Sequence, residues 1–371
     1  MAFNFSQRKK IVIKIGSSLL VENGELRAKW LKSFVKDVAD LVKKDFQITI
    51  VSSGAIALGR SILKVGSRKL SLEEKQAAAA VGQIQLMGFY RDFFKKLHLD
   101  VAQILLTAAD CNARDRYLNS KNTIETLLKN HIIPIINEND TVAVDEIKIG
   151  DNDRLAARVA QMISADMMIL FSDIDGLYEQ NPKTNKDAKL IPEIFAITKE
   201  IENMAGGAGS VVGTGGMITK IMAAKMLSSS NCEVLITNGY ADNALKKLFL
   251  SKQNFTVFHG KNKNAKSRKS WISGVLNAKG SVVINQCAVE VLQNKKISLL
   301  PIGVVDVKGD FKVGDAIFIH DEKGNHIASG VSNYSSLDVK KVLEKKSDEV
   351  KKILGKNAKK EVVHIDNLVV V

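Results

Sequence analysis

The residues best suited to chemistry lie between positions 137 and 153, in the run NENDTVAVDEIKIGDND. Its two ends hold seven acidic or amide side chains: Asn137, Glu138, Asn139 and Asp140 at one, Asp151, Asn152 and Asp153 at the other. Such groups pair with ammonium ions and hydrogen-bond carboxylates. The first cluster follows the apolar segment HIIPII (131–136), so it is expected just past the carboxyl end of a buried strand, where open α/β sheets bind ligands. The second follows Gly150 and opens the helical pattern RLAARVAQMI, so it is expected to cap a helix facing the same crevice. Taken singly, a polar loop and an ordinary helix cap explain the two runs equally well.

Two lysines stand beside turns suited to anions. Lys14 interrupts the apolar strand 11–15 (IVIKI), and Gly16, Ser17 and Ser18 follow at once. A cation there is costly unless it is used, and the turn offers N–H groups and hydroxyls to a phosphate. The alternative is an edge-strand lysine pointing into solvent. Lys220 lies one turn into a helix preceded by AGGAGSVVGTGGM (205–217), the most glycine-rich run of the chain. Thr214, Gly215 and Gly216 ahead of that helix make an anion site from free N–H groups, the helix dipole and the cation, although the same glycines would also suit a lid. Neither the P-loop pattern nor the dinucleotide fingerprint is matched. Strand 47–51 runs into Ser52, Ser53 and Gly54, and strand 167–171 (MMILF) into Ser172 and Asp173. With no evident nucleophile or histidine base, this set points to phosphoryl transfer, which depends on positioning and charge neutralisation.

These groups require a scaffold in which strands alternate with helices. Apolar residues at helical spacing from Leu26 to Val42 predict a helix on one face of the sheet. The alanine-rich stretch 73–94 predicts a long structural helix whose Gly82 and Gly88 permit close packing. Strand 101–106 follows, then a polar link holding Arg114, Asp115 and Arg116, a helix near 123–128, and later helix 218–227 and strand 233–236. This order argues a parallel sheet covered on both faces. After the basic linker 260–268, short β segments at 281–284, 298–304 and 316–320 suggest a small barrel-like module.

Composition sets bounds. The 371 residues suit a large α/β domain with a smaller one, and 45% hydrophobic with 25% charged residues describes a globular chain. No apolar run approaches a membrane span, no signal peptide is evident, and Cys111, Cys232 and Cys287 lack paired spacing, which suits a reducing compartment. The formal charge of +14 is concentrated toward the C-terminal end: from Lys261 onward there are 20 Lys and Arg against 12 Asp and Glu. Much of it lies in 340–360, a stretch that reads as a solvated helix face.

Six motifs in order, IVIKIGSS, VSSGAIALG, INEND, IKIGDND, FSDIDGLY and GTGGMITK, resemble the amino acid kinase family, most closely its glutamate-phosphorylating branch. The resemblance implies an α/β amino-acid-kinase-like sandwich with a largely parallel central sheet covered by helices, plus a small C-terminal β-barrel-like PUA domain. The boundaries it suggests are 1–260 for the catalytic domain, 261–275 for a linker and 276–371 for the PUA-like domain. It implies ATP-dependent phosphorylation of the side-chain carboxylate of L-glutamate to L-glutamyl 5-phosphate, opening proline biosynthesis, with Mg2+ carried by the nucleotide. That acceptor, with an ordinary pKa of about 4.3, is already ionised and needs no general base. Carried over motif by motif, Lys14 and Lys220 offset charge on the transferred group and Asp153 holds them. Ser53, Asp140, Asn152 and Asn137 match substrate-binding positions. Gly16, Ser172, Asp173 and the run Thr214, Gly215, Gly216, Met217, Ile218, Thr219 and Lys220 match nucleotide-binding ones. Ser52 and Ser172 stand where some relatives have threonine. The resemblance also implies inhibition by L-proline, a homo-oligomer (dimer or tetramer), a cytoplasmic location and no membrane association. One rival is a related kinase acting on aspartate or acetylglutamate, against which the PUA-like tail and GDND argue. The other is RNA binding by the basic tail, for which few aromatic residues are available to stack bases.

Overall fold

Runs rich in Ile, Val, Leu and Met form the buried strands of the larger unit, and helices with one apolar stripe cover them. The computed structural model describes residues 4–66, 68–142, 152–182, 184–205, 216–260, 278–294, 297–355 and 358–370. The chain divides into two units, Met1–Cys111 with Leu118–Asn264, and Ala265–Val371 with Asn112–Tyr117. In chain order the elements up to the first crossover are β1 (Lys10–Ile15), α1 (Ser17–Leu20), β2 (Val21–Glu22), β3 (Glu25–Leu26), α2 (Ala28–Val42), β4 (Gln47–Ser52), α3 (Ala55–Ile62) and α4 (Leu72–Lys95). They continue with β5 (Val101–Leu106), α5 (Ala108–Asn112), α6 (Arg114–Lys129), β6 (Ile133–Glu138), α7 (Asn152–Ile163) and β7 (Met167–Ser172). The rest of this part of the chain is β8 (Glu193–Ile194), α8 (Lys199–Met204), α9 (Met217–Leu227), β9 (Glu233–Asn238), α10 (Ala244–Phe249) and β10 (Phe255–Phe258).

Eight of these strands make one sheet in the order β5-β6-β4-β1-β7-β9-β10-β8. Every described pairing is parallel except β9 with β10. From β1 the chain adds β4 beside it, runs out to β5 at the edge, returns to place β6 between β5 and β4, and then crosses to β7 on the other side of β1. The sheet therefore has its topological switch beside β1, and the crevice beyond the carboxyl ends of β1, β4, β6 and β7 is the place such folds leave for a ligand. Pro134 is tolerated in β6 because pairing with β4 begins only at Ile135.

The helices explain why the crevice keeps its shape. On α2, Trp30, Leu31, Phe34, Val35, Val38 and Leu41 are buried, and the Trp30 indole N–H donates to the Gly239 carbonyl at 2.6 Å. Between α3 and α4 the contact is backbone on backbone. A Cβ at Gly59 would lie 1.8 Å from the Ala78 carbonyl oxygen, and one at Gly82 would lie 1.9 Å from that of Ala55. Gly88, grouped with Gly82 in the sequence, faces open space instead. At the start of α3, Gly54 takes φ of 104°, which a side chain would strain.

Three elements depart from expectation. The link at 114–116 is the first turn of α6, because buried Tyr117, Ile124 and Leu128 extend one apolar stripe back over the charged residues. The strand expected at 298–304 begins only at Val304: Pro301 opens a 3-10 turn, Pro301–Gly303, and has no N–H for a ladder. The stretch 340–360 holds no single helix, since Glu344 at φ 57° separates two short ones. A hairpin, β2–β3, not expected from the sequence, turns at Asn23-Gly24, both residues at positive φ.

The second unit contains β11 (Gly280–Ile284), α11 (Gln286–Asn294), β12 (Val304–Gly309), β13 (Ala316–Asp321), β14 (His326–Val331), α12 (Ser336–Lys341), α13 (Ser347–Leu354) and β15 (Leu368–Val370). Its five strands form a separate sheet, β12-β11-β13-β14-β15, over its own core of residues such as Val282, Phe311, Ile319 and Val363. Among the described residues, no helix is long and apolar enough to cross a membrane.

Gly82→Ala forces α3 and α4 apart and is expected to cost about 1–3 kcal/mol, the usual range for overpacking. Denaturant unfolding measures it; an unchanged midpoint would mean that the helix pair has slack to give.

Candidate active site

The centre of the crevice is a buried carboxylate between two buried ammonium groups. β1 supplies Lys14 from the middle of the sheet, between Val51 and Leu170 of its neighbours, so the edge-strand alternative does not hold. α7 supplies Asp153 from its first turn, and α9 supplies Lys220. The Lys14 ammonium lies 2.6 Å from Asp153 Oδ1, and that of Lys220 lies 3.1 Å from Oδ2. The Thr219 hydroxyl donates to the same Oδ2 at 2.9 Å. Asp153 is fully buried, and Lys14 and Lys220 are only 6% and 4% exposed. Burial alone would raise the Asp153 carboxyl, but the ammonium groups of Lys14 and Lys220 outweigh it and hold the group below its ordinary value.

Beside this triad runs a chain of neutral hydrogen bonds. The Asn152 amide donates to Ser53 Oγ at 2.6 Å and to Asn137 Oδ1 at 3.0 Å. Asn137 in turn donates to Gln83 Oε1 at 2.9 Å. Ser52 Oγ meets the Tyr90 hydroxyl at 3.0 Å, and burial pushes that phenol well above its usual pKa, so it stays protonated. Gln83 and Tyr90, both on α4, were not singled out in the sequence. Their only signal is a polar atom on the inward face of a helix otherwise filled by alanine, leucine and glycine.

A pocket of about 550 Å³ opens over these residues. Its wall includes Lys14, Gly16, Ser53, Asn137, Asp140 and Asn152, and, toward the far side of β1, Ser172, Asp173 and Lys220. Glu138, of the first polar cluster, also lines it, as do two residues found only in the structure, Arg60 and Lys75. Asp153 lies behind the lysines. Gly216, Met217 and Ile218 are described but do not line this pocket, and Thr219 turns its hydroxyl to Asp153 and to the Gly216 carbonyl. Asp151, Thr214 and Gly215 lie outside the described residues.

The wall thus presents cations, hydroxyls, amides and carboxylates. Neither buried cysteine can serve as a nucleophile: burial pushes the Cys111 thiol up to about 12 and that of Cys232 higher still. The arrangement can hold a polyanion against two fixed positive charges and orient a second polar molecule beside it.

Known proteins share this sequence over nearly its whole length. The profile of the amino acid kinase family matches residues 9–238, and that of the PUA domain residues 280–354. A glutamate 5-kinase of Paramagnetospirillum magneticum is 44% identical over 363 residues, covering 97% of each chain. Those of Rhodopseudomonas palustris and Brucella abortus are each 46% identical, covering 98% of this chain and 96% of theirs.

Replacing Asp153 with Asn leaves two buried ammonium groups without their counter-charge, an expected loss of about 3–5 kcal/mol in unfolding free energy. Because the folded carboxyl is held low, its contribution is complete above its ordinary value of 3.8 and is lost as pH falls below it. Acid titration of stability should therefore be steeper below pH 3.8 in the wild type than in Asp153→Asn, and superimposable curves would contradict the assigned charge state.

Proposed function

The chain belongs to the amino acid kinase family and carries a PUA domain, and from that premise we propose that it transfers the γ-phosphoryl group of ATP to the side-chain carboxylate of L-glutamate. The product is L-glutamyl 5-phosphate, and the step opens proline biosynthesis. The observation that carries this reading is the Lys14–Asp153–Lys220 arrangement at a pocket whose two sides differ in chemistry.

The acceptor carboxylate is ionised at neutral pH and attacks without a general base. Repulsion between this anion and the phosphate chain is the main obstacle, and two fixed ammonium groups between them lower it. Asp153 does not touch the reacting atoms in this scheme. It fixes the lysines so that no reorganisation is needed as negative charge passes from the attacking carboxylate to the β–γ bridging oxygen that leaves with ADP. Because the Asn152 amide already donates to Ser53 Oγ, the Ser53 proton is directed elsewhere and can donate to the substrate. Asp140, in the wall, takes the substrate ammonium, and Asn137 positions Asn152. Ser172 and Asp173 mark the nucleotide side, with Gly16 and the loop before Lys220.

Mg2+ enters with the nucleotide, since it prefers phosphate and water oxygens with one or two carboxylates. Of the carboxylates in the wall, that of Asp173 lies on the side proposed for the nucleotide and would suit it, and the ion would screen the phosphate charge. Competition by L-proline for the glutamate side, a homo-oligomeric assembly, a cytoplasmic location and domain limits of 1–260, 261–275 and 276–371 belong to the same proposal.

The test is ATP consumption with Mg2+ against L-glutamate, L-aspartate, N-acetylglutamate and carbamate, with any acyl phosphate trapped as its hydroxamate. Turnover on glutamate is expected, and activity confined to another acceptor would reassign the substrate. Lys220→Ala should lower kcat by about 100-fold or more, the scale of losing one charge-stabilising donor, and a rate near that of the wild type would remove Lys220 from the reaction.

A further inference from the structure

An acidic amino acid brings two carboxylates and one ammonium into the pocket, and the groups discussed so far account for only one carboxylate and the ammonium. We infer that Lys75 binds the second carboxylate, the one on the α-carbon that is not phosphorylated. This rests on the reading of glutamate as acceptor. The phosphorylated carboxylate must lie beside Lys14 and Lys220, and the ammonium beside Asp140 or Glu138, all in the wall. The remaining negative charge needs a cation of its own.

Among the described residues, four cations line the pocket. Lys14 and Lys220 are both held by Asp153. Arg60, on α3, donates through Nη1 to the carbonyls of Gly66 at 2.7 Å and Arg68 at 3.0 Å, which ties its guanidinium to the loop after its helix. Lys75 is half-buried, and among the described residues no carboxylate lies within ion-pair distance of its ammonium. The two acids beside it in sequence are turned away. Glu74 accepts from the Arg68 guanidinium at 2.8 Å and from the Ser71 backbone N–H at 3.0 Å, and Glu73 accepts from the Ser71 hydroxyl at 2.8 Å.

The position is also fixed. Ser71 and Glu74 form a capping box that starts α4, so Lys75 projects from a defined turn. Eight residues further on, the same face carries Gln83, which hydrogen-bonds Asn137. One helix thus sets both the amide chain under the substrate and the cation at its far end. A cation in a polar pocket wall with no ion-pair partner among the described residues is a binding group for an anion, and its distance along the wall from the Lys14–Lys220 pair would select for chain length between the two carboxylates.

The experiment compares L-glutamate with 4-aminobutyrate, which keeps the reacting carboxylate and the amine but lacks the α-carboxylate; where its turnover is too slow, it is measured as a competitive inhibitor. Lys75→Met should raise the KM for glutamate by about 10- to 100-fold, the worth of a charge-assisted contact. It should leave KM for ATP and the constant for 4-aminobutyrate within about two-fold, and Lys75→Arg should recover most of the glutamate affinity. An unchanged glutamate KM in Lys75→Met, in an enzyme whose wild type does phosphorylate glutamate, overturns the inference and leaves the proposed reaction standing. Equal losses on both molecules also overturn it, since they would come from distortion of the pocket. A wild type inactive on glutamate removes the reaction and the inference together.

Discussion

The structure depends on one buried carboxylate shared by two buried ammonium groups. An isolated ammonium in such a place would lose its proton or unfold its surroundings. Placed on either side of Asp153, Lys14 and Lys220 each form an ion pair with it, and the net positive charge left over is directed at the pocket. The three residues come from a strand at the start of the unit, a helix in its middle and a helix near its end. The triad therefore joins distant parts of the chain at the point where the strand order reverses, and the positive charge turned to the pocket is itself a folding contact.

A second constraint is the approach of α3 to α4. With Gly59 and Gly82 at the crossing, the two backbones touch, and this brings Gln83 and Tyr90 within reach of Asn137 and Ser52. The amide chain Gln83–Asn137–Asn152–Ser53 then sets the orientation of each polar tip facing the ligand. Amides and hydroxyls hold direction without adding charge to the pocket.

The strand ends and the polar clusters behind them were legible in the sequence because residue type and element period coincide there. HIIPII and MMILF announce buried strands, and the side chains directly after them have no reason to be polar except exposure or use. Even so, the strand expected to end at Ile136 runs on through Glu138, so Asn137 is buried at its tip and not in the loop. What could not be read was anything that depends on how α4 lies against the sheet. Gln83, Tyr90 and Lys75 sit in a stretch that reads as plain helix, and their meaning arises only when strands β4 and β6 come alongside. Gly82 and Gly88 are chemically identical in the sequence; only the crossing with α3 distinguishes them. Whether Lys14 faced solvent was likewise a question of strand order, which local pattern does not contain.

The placement of β1 between β4 and β7 has a consequence for synthesis. Of the strands of this sheet β1 is translated first and lies inside it, and it carries a lysine whose counter-charge is encoded far downstream, with the second lysine later still. Until Asp153 has emerged the nascent N-terminal segment holds a charge without its partner, and until β7 has emerged β1 has one edge uncovered. The larger unit is thereby committed to close late, once the greater part of it has been translated, and the open edge of β1 is the surface that chaperones would find on the unfinished chain.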